Sequence, residues 1–79
     1  MFPDYKLKAV MASMLDIDVS TVGPATSTDT VDQWDSVLHM NLIIALEEAF
    51  EISVPDDEVA TLTSYPIVRA MVEEQLAGG

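Results

Sequence analysis

No cysteine occurs among the 79 residues. The chain therefore has no disulfide and no thiolate metal ligand, and any sulfur chemistry must reach it from outside. The absence suits a reducing compartment, so the cytosol is the expected location. Basic residues are nearly as scarce. Three Lys and Arg stand against 14 Asp and Glu, a formal charge of −11. The three are Lys6, Lys8 and Arg69, and residues 9–68 contain none. Such a chain is repelled by nucleic acid and by anionic lipid, and its electrostatic partners are basic protein surfaces. No apolar run approaches the roughly 18 residues of a membrane span. At the N-terminus, Pro3 and Asp4 interrupt MFPDYKLKAVM where a secretory signal needs an unbroken apolar stretch.

What is present argues for a fold. The hydrophobic fraction is 49%, too high for a disordered acidic tail. The length suits one domain over residues 1–79 with a modest core, and the net charge favours a monomer. Leu7, Val10, Met11, Met14 and Leu15 follow helical spacing and predict a first helix over about 4–15. The segment DIDVSTVGPATSTDTVDQ then loses the period. It forms a long loop of about 18 residues, packed by Ile17, Val19, Val22 and Val31. A second helix runs from Asp35 or Ser36 to about Phe50. Pro55 followed by Asp56, Asp57 and Glu58 opens a short third helix. Ser64 and Pro66 open a fourth, with Val68, Val72 and Leu76 as its apolar stripe and Ile67 and Met71 beside it. Residues 77–79 read as a flexible tail. The predicted architecture is all-α: a small four-helix bundle with its long loop between the first two helices, and the first, second and fourth helices forming the core.

The second helix is apolar on two sides. Leu38, Leu42, Ala45, Leu46, Ala49 and Phe50 make a core face. Across from it lie Ser36, Val37, Met40, Ile44, Glu47, Glu48 and Glu51, with Asn41 between. The long loop folding over Val37, Met40 and Ile44 would explain that second face. So would a transient docking surface, in which apolar groups are desolvated while an acidic rim steers a basic partner. Ser36 also has two readings. It can cap the helix, but Asp35 can do the same, and a helix N-terminus favours an attached phosphate. Trp34 reads as a core anchor for the turn.

The run DSVLHMNLIIALEEAFEISVPDDEVATLTS resembles the acyl carrier protein family, whose signature is Asp-Ser-Leu at the start of the second helix. Further parallels are ALEE-x-F at Ala45–Phe50, the Val-Pro-acid step at Val54–Glu58, and the turn at Thr61–Ser64. The likeness covers about residues 29–76, and the first helix by pattern alone. It implies a four-helix carrier bundle. Ser36 would receive a 4′-phosphopantetheine arm from coenzyme A through a phosphopantetheinyl transferase, and the arm's thiol would hold acyl cargo as a thioester. Asp35 matches the acid beside the attachment point. Val37, Ile44, Glu47 and Glu48 match positions that the family uses for docking and, with Met40 on the same face, would meet the transferase, an acyl-loading ligase or synthase, and acyl-consuming enzymes with basic patches. Several positions depart from the general fatty-acid carriers. Val37 replaces Leu, Leu38 and Asn41 stand where acids are frequent, and Trp34 and His39 are similar to specialised carriers with Trp-Asp-Ser motifs.

Other constellations are weaker. His39 lies one helical turn from Ser36, but no G-x-S-x-G elbow accompanies the pair, so His39 is expected at the surface and no catalysis is expected. Asp16-Ile17-Asp18-Val19-Ser20 opens like a calcium loop, yet Thr21 and Ser27 occupy the positions that require Gly and Glu, and no metal site is expected. Gly78-Gly79 would suit a ubiquitin-like sulfur carrier only on a sheet that this helical pattern lacks. The remaining rival is an acidic helical interaction domain without a cofactor.

Overall fold

A computed structural model describes residues 2–78. Four α-helices follow one another: α1 over Asp4–Leu15, α2 over Ser36–Phe50, α3 over Asp56–Val59 and α4 over Tyr65–Gly78. These match the expected order and, except at the end of α4, the expected bounds, and among the described residues there is no strand, only an isolated bridge between Ser27 and Ser64. One 3-10 turn at Val19–Thr21, which the sequence did not suggest, interrupts the long loop. Asp18 caps it by accepting the Ser20 N–H at 2.9 Å, giving that acid a structural task.

Three ridges of side chains spaced by four residues build the core. They are Leu7, Met11 and Leu15 on α1, Leu42, Leu46 and Phe50 on α2, and Val68 and Val72 on α4. Burying each such side chain stabilises the fold by about 1.5–3 kcal/mol before entropy is counted. Ile43, unassigned from sequence, is also buried. Leu76 is not: it is 45% exposed, because the last turn of α4 lies past the core and buries no side chain. Ala77 and Gly78, expected in a flexible tail, continue α4 instead. Gly79 lies outside the described residues.

Both long N-terminal helices stop on an acid in the left-handed region. Asp16 has φ 57° and Glu51 has φ 54°, a conformation in which Gly is usual. In each case the next residue, Ile17 or Ile52, packs half-buried against the core and holds the chain in its reversal.

Between α1 and α2 the loop packs as expected, with Val22 and Val31 buried and Ile17 and Val19 beside them. It is also pinned. The buried Thr26 hydroxyl donates to Thr21 O at 3.1 Å and accepts the Gly23 N–H at 2.9 Å. Tyr65 N–H donates to Thr26 O, and Thr28 N–H to Thr63 O, each at 2.9 Å. Gln33 Nε2–H donates to Leu15 O at 2.8 Å. The loop is thereby stitched to the start of α4 and the end of α1, which fixes the turn that delivers α2.

All three bases are consumed at one end of the bundle. Asp4 accepts from the Tyr65 hydroxyl, from Arg69 Nε–H at 3.0 Å, and faces Lys8 Nζ at 3.5 Å. Lys6 Nζ lies 5.0 Å from the centre of the Phe50 ring, beside the negative end of the α2 dipole. The hydrogen bond from Tyr65 is the main reason the Asp4 carboxyl titrates below the usual Asp value, with Arg69 and Lys8 adding to the effect against partial burial. Burial, and then the Asp4 partner, pushes the Tyr65 phenol up to about 12.

Because the folded Asp4 value is depressed, its contribution is present above the unfolded value near 3.8 and is lost as pH falls below it. Because the folded Tyr65 value is raised, its contribution is complete below about 10 and is lost as pH rises towards about 12. Tyr65→Phe is therefore expected to cost about 1 kcal/mol at neutral pH, or roughly 4–8 °C in Tm. Thermal melts across pH should also show the gap to wild type narrowing as pH falls below about 3.8, where wild type loses the Asp4 contribution, and closing again between pH 10 and 12. A gap independent of pH would contradict the assignment.

Candidate functional site

The start of α2 divides two tasks between neighbouring residues. Asp35 is extended (φ −99°, ψ −174°), and its Oδ1 accepts the Leu38 N–H at 2.9 Å. Asp35 O takes the His39 N–H at 2.8 Å. Asp35 is thus the cap and Ser36 the first helical residue. The Ser36 side chain is exposed and has no part in holding the helix. Its hydroxyl stands where the unpaired amides of the first turn and the helix dipole favour negative charge.

A relay of hydrogen bonds backs this corner. Trp34 is 95% buried, and its Nε1–H donates to His39 Nδ1 at 3.0 Å. His39 Nε2 lies 2.6 Å from Val59 O. Indole N–H can only donate and a carbonyl can only accept, so His39 is the neutral tautomer with its proton on Nε2. The expectation of a surface histidine is corrected: His39 is half-buried and ties α2 to α3. A hydrolytic pair with Ser36 is excluded by the same geometry, since both ring nitrogens are already engaged. The signal in the sequence was the pairing of one buried Trp, whose N–H needs an acceptor, with the chain's only His five residues on. Thr28, Trp34, Ser36, His39, Ala60 and Thr63 line a groove of about 210 Å³ beside the serine.

Along α2, Val37 is 71% exposed, Met40 51% and Ile44 50%. The long loop does not cover them. Helical geometry places them with Glu47 and Glu48 within about 120° of arc, the two acids on opposite flanks. Glu48 is exposed, at the edge facing α1. Glu47 is half-buried, and its Oε2 accepts the Val54 N–H at 2.9 Å, so it braces the connector into α3. The bases sit near the other end of α2, where Lys6 meets Phe50, some 20 Å from Ser36 at 1.5 Å per residue.

No protein-family model matches the chain. Among characterised proteins, an acyl carrier protein of Rubrobacter xylanophilus is 36% identical over 73 residues, 91% of this chain and 90% of that one. An acyl carrier protein of Thermosynechococcus vestitus is 33% identical over 72 residues, 91% of this chain and 89% of that one. Among solved structures, the solution structure of a holo acyl carrier protein from Geobacter metallireducens superposes with a TM-score of 0.84 at 30% identity, over 98% of this chain and 88% of that one. With the four-helix order, the exposed serine after a capping acid and this similarity along nearly the whole length, the chain belongs to the acyl carrier protein family, a family of carriers and not of enzymes.

Proposed function

We propose that Ser36 is the attachment point of a 4′-phosphopantetheine arm and that the chain, as one carrier domain, presents acyl groups to successive partner enzymes. The observation that carries this reading is the separation of duties at the start of α2. Because Asp35 caps the helix, Ser36 Oγ can form a phosphodiester without the helix losing its cap. The residues fit the group: the hydroxyl is exposed, and the amides around it favour a phosphate. On attachment, the bond from Ser36 Oγ to phosphorus forms and the pyrophosphate bond of coenzyme A breaks. The hydroxyl proton passes to the transferase or solvent, and the nucleotide half departs. When bound, the arm supplies the thiol that the chain itself lacks, which holds acyl groups as thioesters. Asp35 uses one carboxylate oxygen for the cap and offers the other to the transferase's metal, through which the phosphate is oriented.

Val37, Met40 and Ile44 form the docking surface, and Glu48 is its free steering acid. Glu47 contributes charge while bracing Val54, so it is both rim and framework. The partners are the transferase, an acyl-loading ligase or synthase and acyl-consuming enzymes, each meeting this base-free end of the bundle through basic patches. The Trp34–His39 relay supports a specialised carrier of the Trp-Asp-Ser type over a general fatty-acid carrier. A cytosolic monomer accords with this reading, since coenzyme A chemistry needs a reduced thiol. Among the described residues no helix is long and apolar enough to cross a membrane.

Incubation with coenzyme A and a broad-specificity phosphopantetheinyl transferase tests the attachment by intact mass. Wild type gains one arm and Ser36→Ala gains none. An unmodified wild type, under conditions that load a control carrier, would instead favour a cofactor-free interaction domain. For the docking face, Ile44→Ala and Glu48→Lys should each lower kcat/KM for arm transfer by about 5–10-fold with little change in Tm. Added salt should shrink the Glu48→Lys defect and leave that of Ile44→Ala. Rates equal to wild type at low salt would remove this surface from the account.

A further inference from the structure

The seam between α2 and α3 is the thinnest wall near Ser36. α3 has only four residues and buries none of their side chains fully. Two polar ties hold its segment to α2. At one end Glu47 Oε2 accepts the Val54 N–H at 2.9 Å, and at the other His39 Nε2–H donates to Val59 O at 2.6 Å. His39 and Glu47 stand eight residues apart on α2, about two turns, so the ties close both ends of the seam. Behind it lie Ile43 and Leu46, the latter with no exposure. On the other side of α2 the wall is a full helix, with Leu7, Met11 and Leu15 buried in the same core as Leu42 and Leu46.

We propose that His39 is a specificity-determining residue: by strapping α3 to α2 beside the attachment serine it keeps short acyl chains out of the bundle, and the chain is suited to short or polar acyl groups. This rests on Ser36 carrying the arm. For a methylene chain to enter, His39 must release Val59 O, and its movement also takes the acceptor from the buried Trp34 N–H. Water cannot readily replace either partner at a half-buried position, so opening the seam leaves polar groups unpaired. A short acyl group gains too little burial to offset that loss, and a polar one gains none. Such cargo remains outside, where the groove lined by Thr28, Trp34, His39 and Thr63 adjoins the serine.

The test uses wild type and His39→Ala loaded with acetyl- or hexanoyl-pantetheine from the corresponding acyl-coenzyme A, loading being confirmed by intact mass. Thioester cleavage by hydroxylamine then reads exposure, and methyl NMR shifts of Leu46 and Val59 read entry. In wild type the hexanoyl and acetyl forms should react within about twofold of each other, with equal methyl shifts. In the His39→Ala protein the hexanoyl thioester should react at least fivefold more slowly, with shifted methyls. If His39→Ala unfolds by circular dichroism, His39→Leu keeps the volume while removing both hydrogen bonds. Fivefold protection on fully loaded wild type overturns the strap alone, as does equal exposure in wild type and a folded His39 variant. Failure of wild type to gain any arm overturns the attachment reading, and the strap with it.

Discussion

The hydrogen bond from the Leu38 amide to the Asp35 carboxylate, 2.9 Å long, is the constraint on which the rest depends. A helix of 15 residues needs its first amides satisfied, and serine is a common residue for that purpose. Had Ser36 been the cap, any covalent change at its oxygen would have removed the cap. With the preceding acid in that position, the hydroxyl is presented at the positive end of the dipole and is chemically available. One residue of register separates a serine that caps the helix from one whose hydroxyl is left free of that task.

The surroundings preserve that register. The loop before α2 is long enough to be mobile, yet Thr26, Thr28 and Gln33 fasten it to α4 and α1 at points far apart in sequence. Trp34 then anchors its last turn in the core, and His39 passes that anchorage on to α3. Charge is arranged with the same economy. Asp4, Tyr65, Lys8 and Arg69 form one cluster, and Lys6 lies against Phe50, so the basic side chains all gather away from Ser36. The Ser36 end, where we propose that partners dock, is left acidic without any base to blunt its field.

Helix order, most helix bounds and the place of Ser36 at the start of α2 were legible in the sequence because each left a local mark. Leu7, Met11 and Leu15 repeat at helical spacing, Pro55 precedes a run of acids, and Asp35-Ser36 opens a strongly apolar segment. What escaped were features that depend on partners distant along the chain. Ile43 could be placed in the core only once α2 was seen to be walled on both sides. Tyr65 looked like an ordinary first-turn residue until its hydroxyl met Asp4, 61 positions away. His39 was expected in solvent because nothing local announces that Val59 O will stand opposite Nε2. Glu47 was read as surface charge, since the turn that returns Val54 to it is made by the left-handed Glu51, an unusual residue in that conformation. Leu76 erred in the other direction: its spacing is right, but the core ends before it.

The division of labour between Asp35 and Ser36 is tested most directly by comparing the unfolding free energies of Asp35→Ala and Ser36→Ala in the unmodified protein, by denaturant titration at neutral pH. Loss of the cap should cost about 1 kcal/mol in Asp35→Ala, whereas Ser36→Ala should lie within about 0.5 kcal/mol of wild type. A Ser36→Ala protein destabilised as much as Asp35→Ala would make the serine a structural cap and contradict the account.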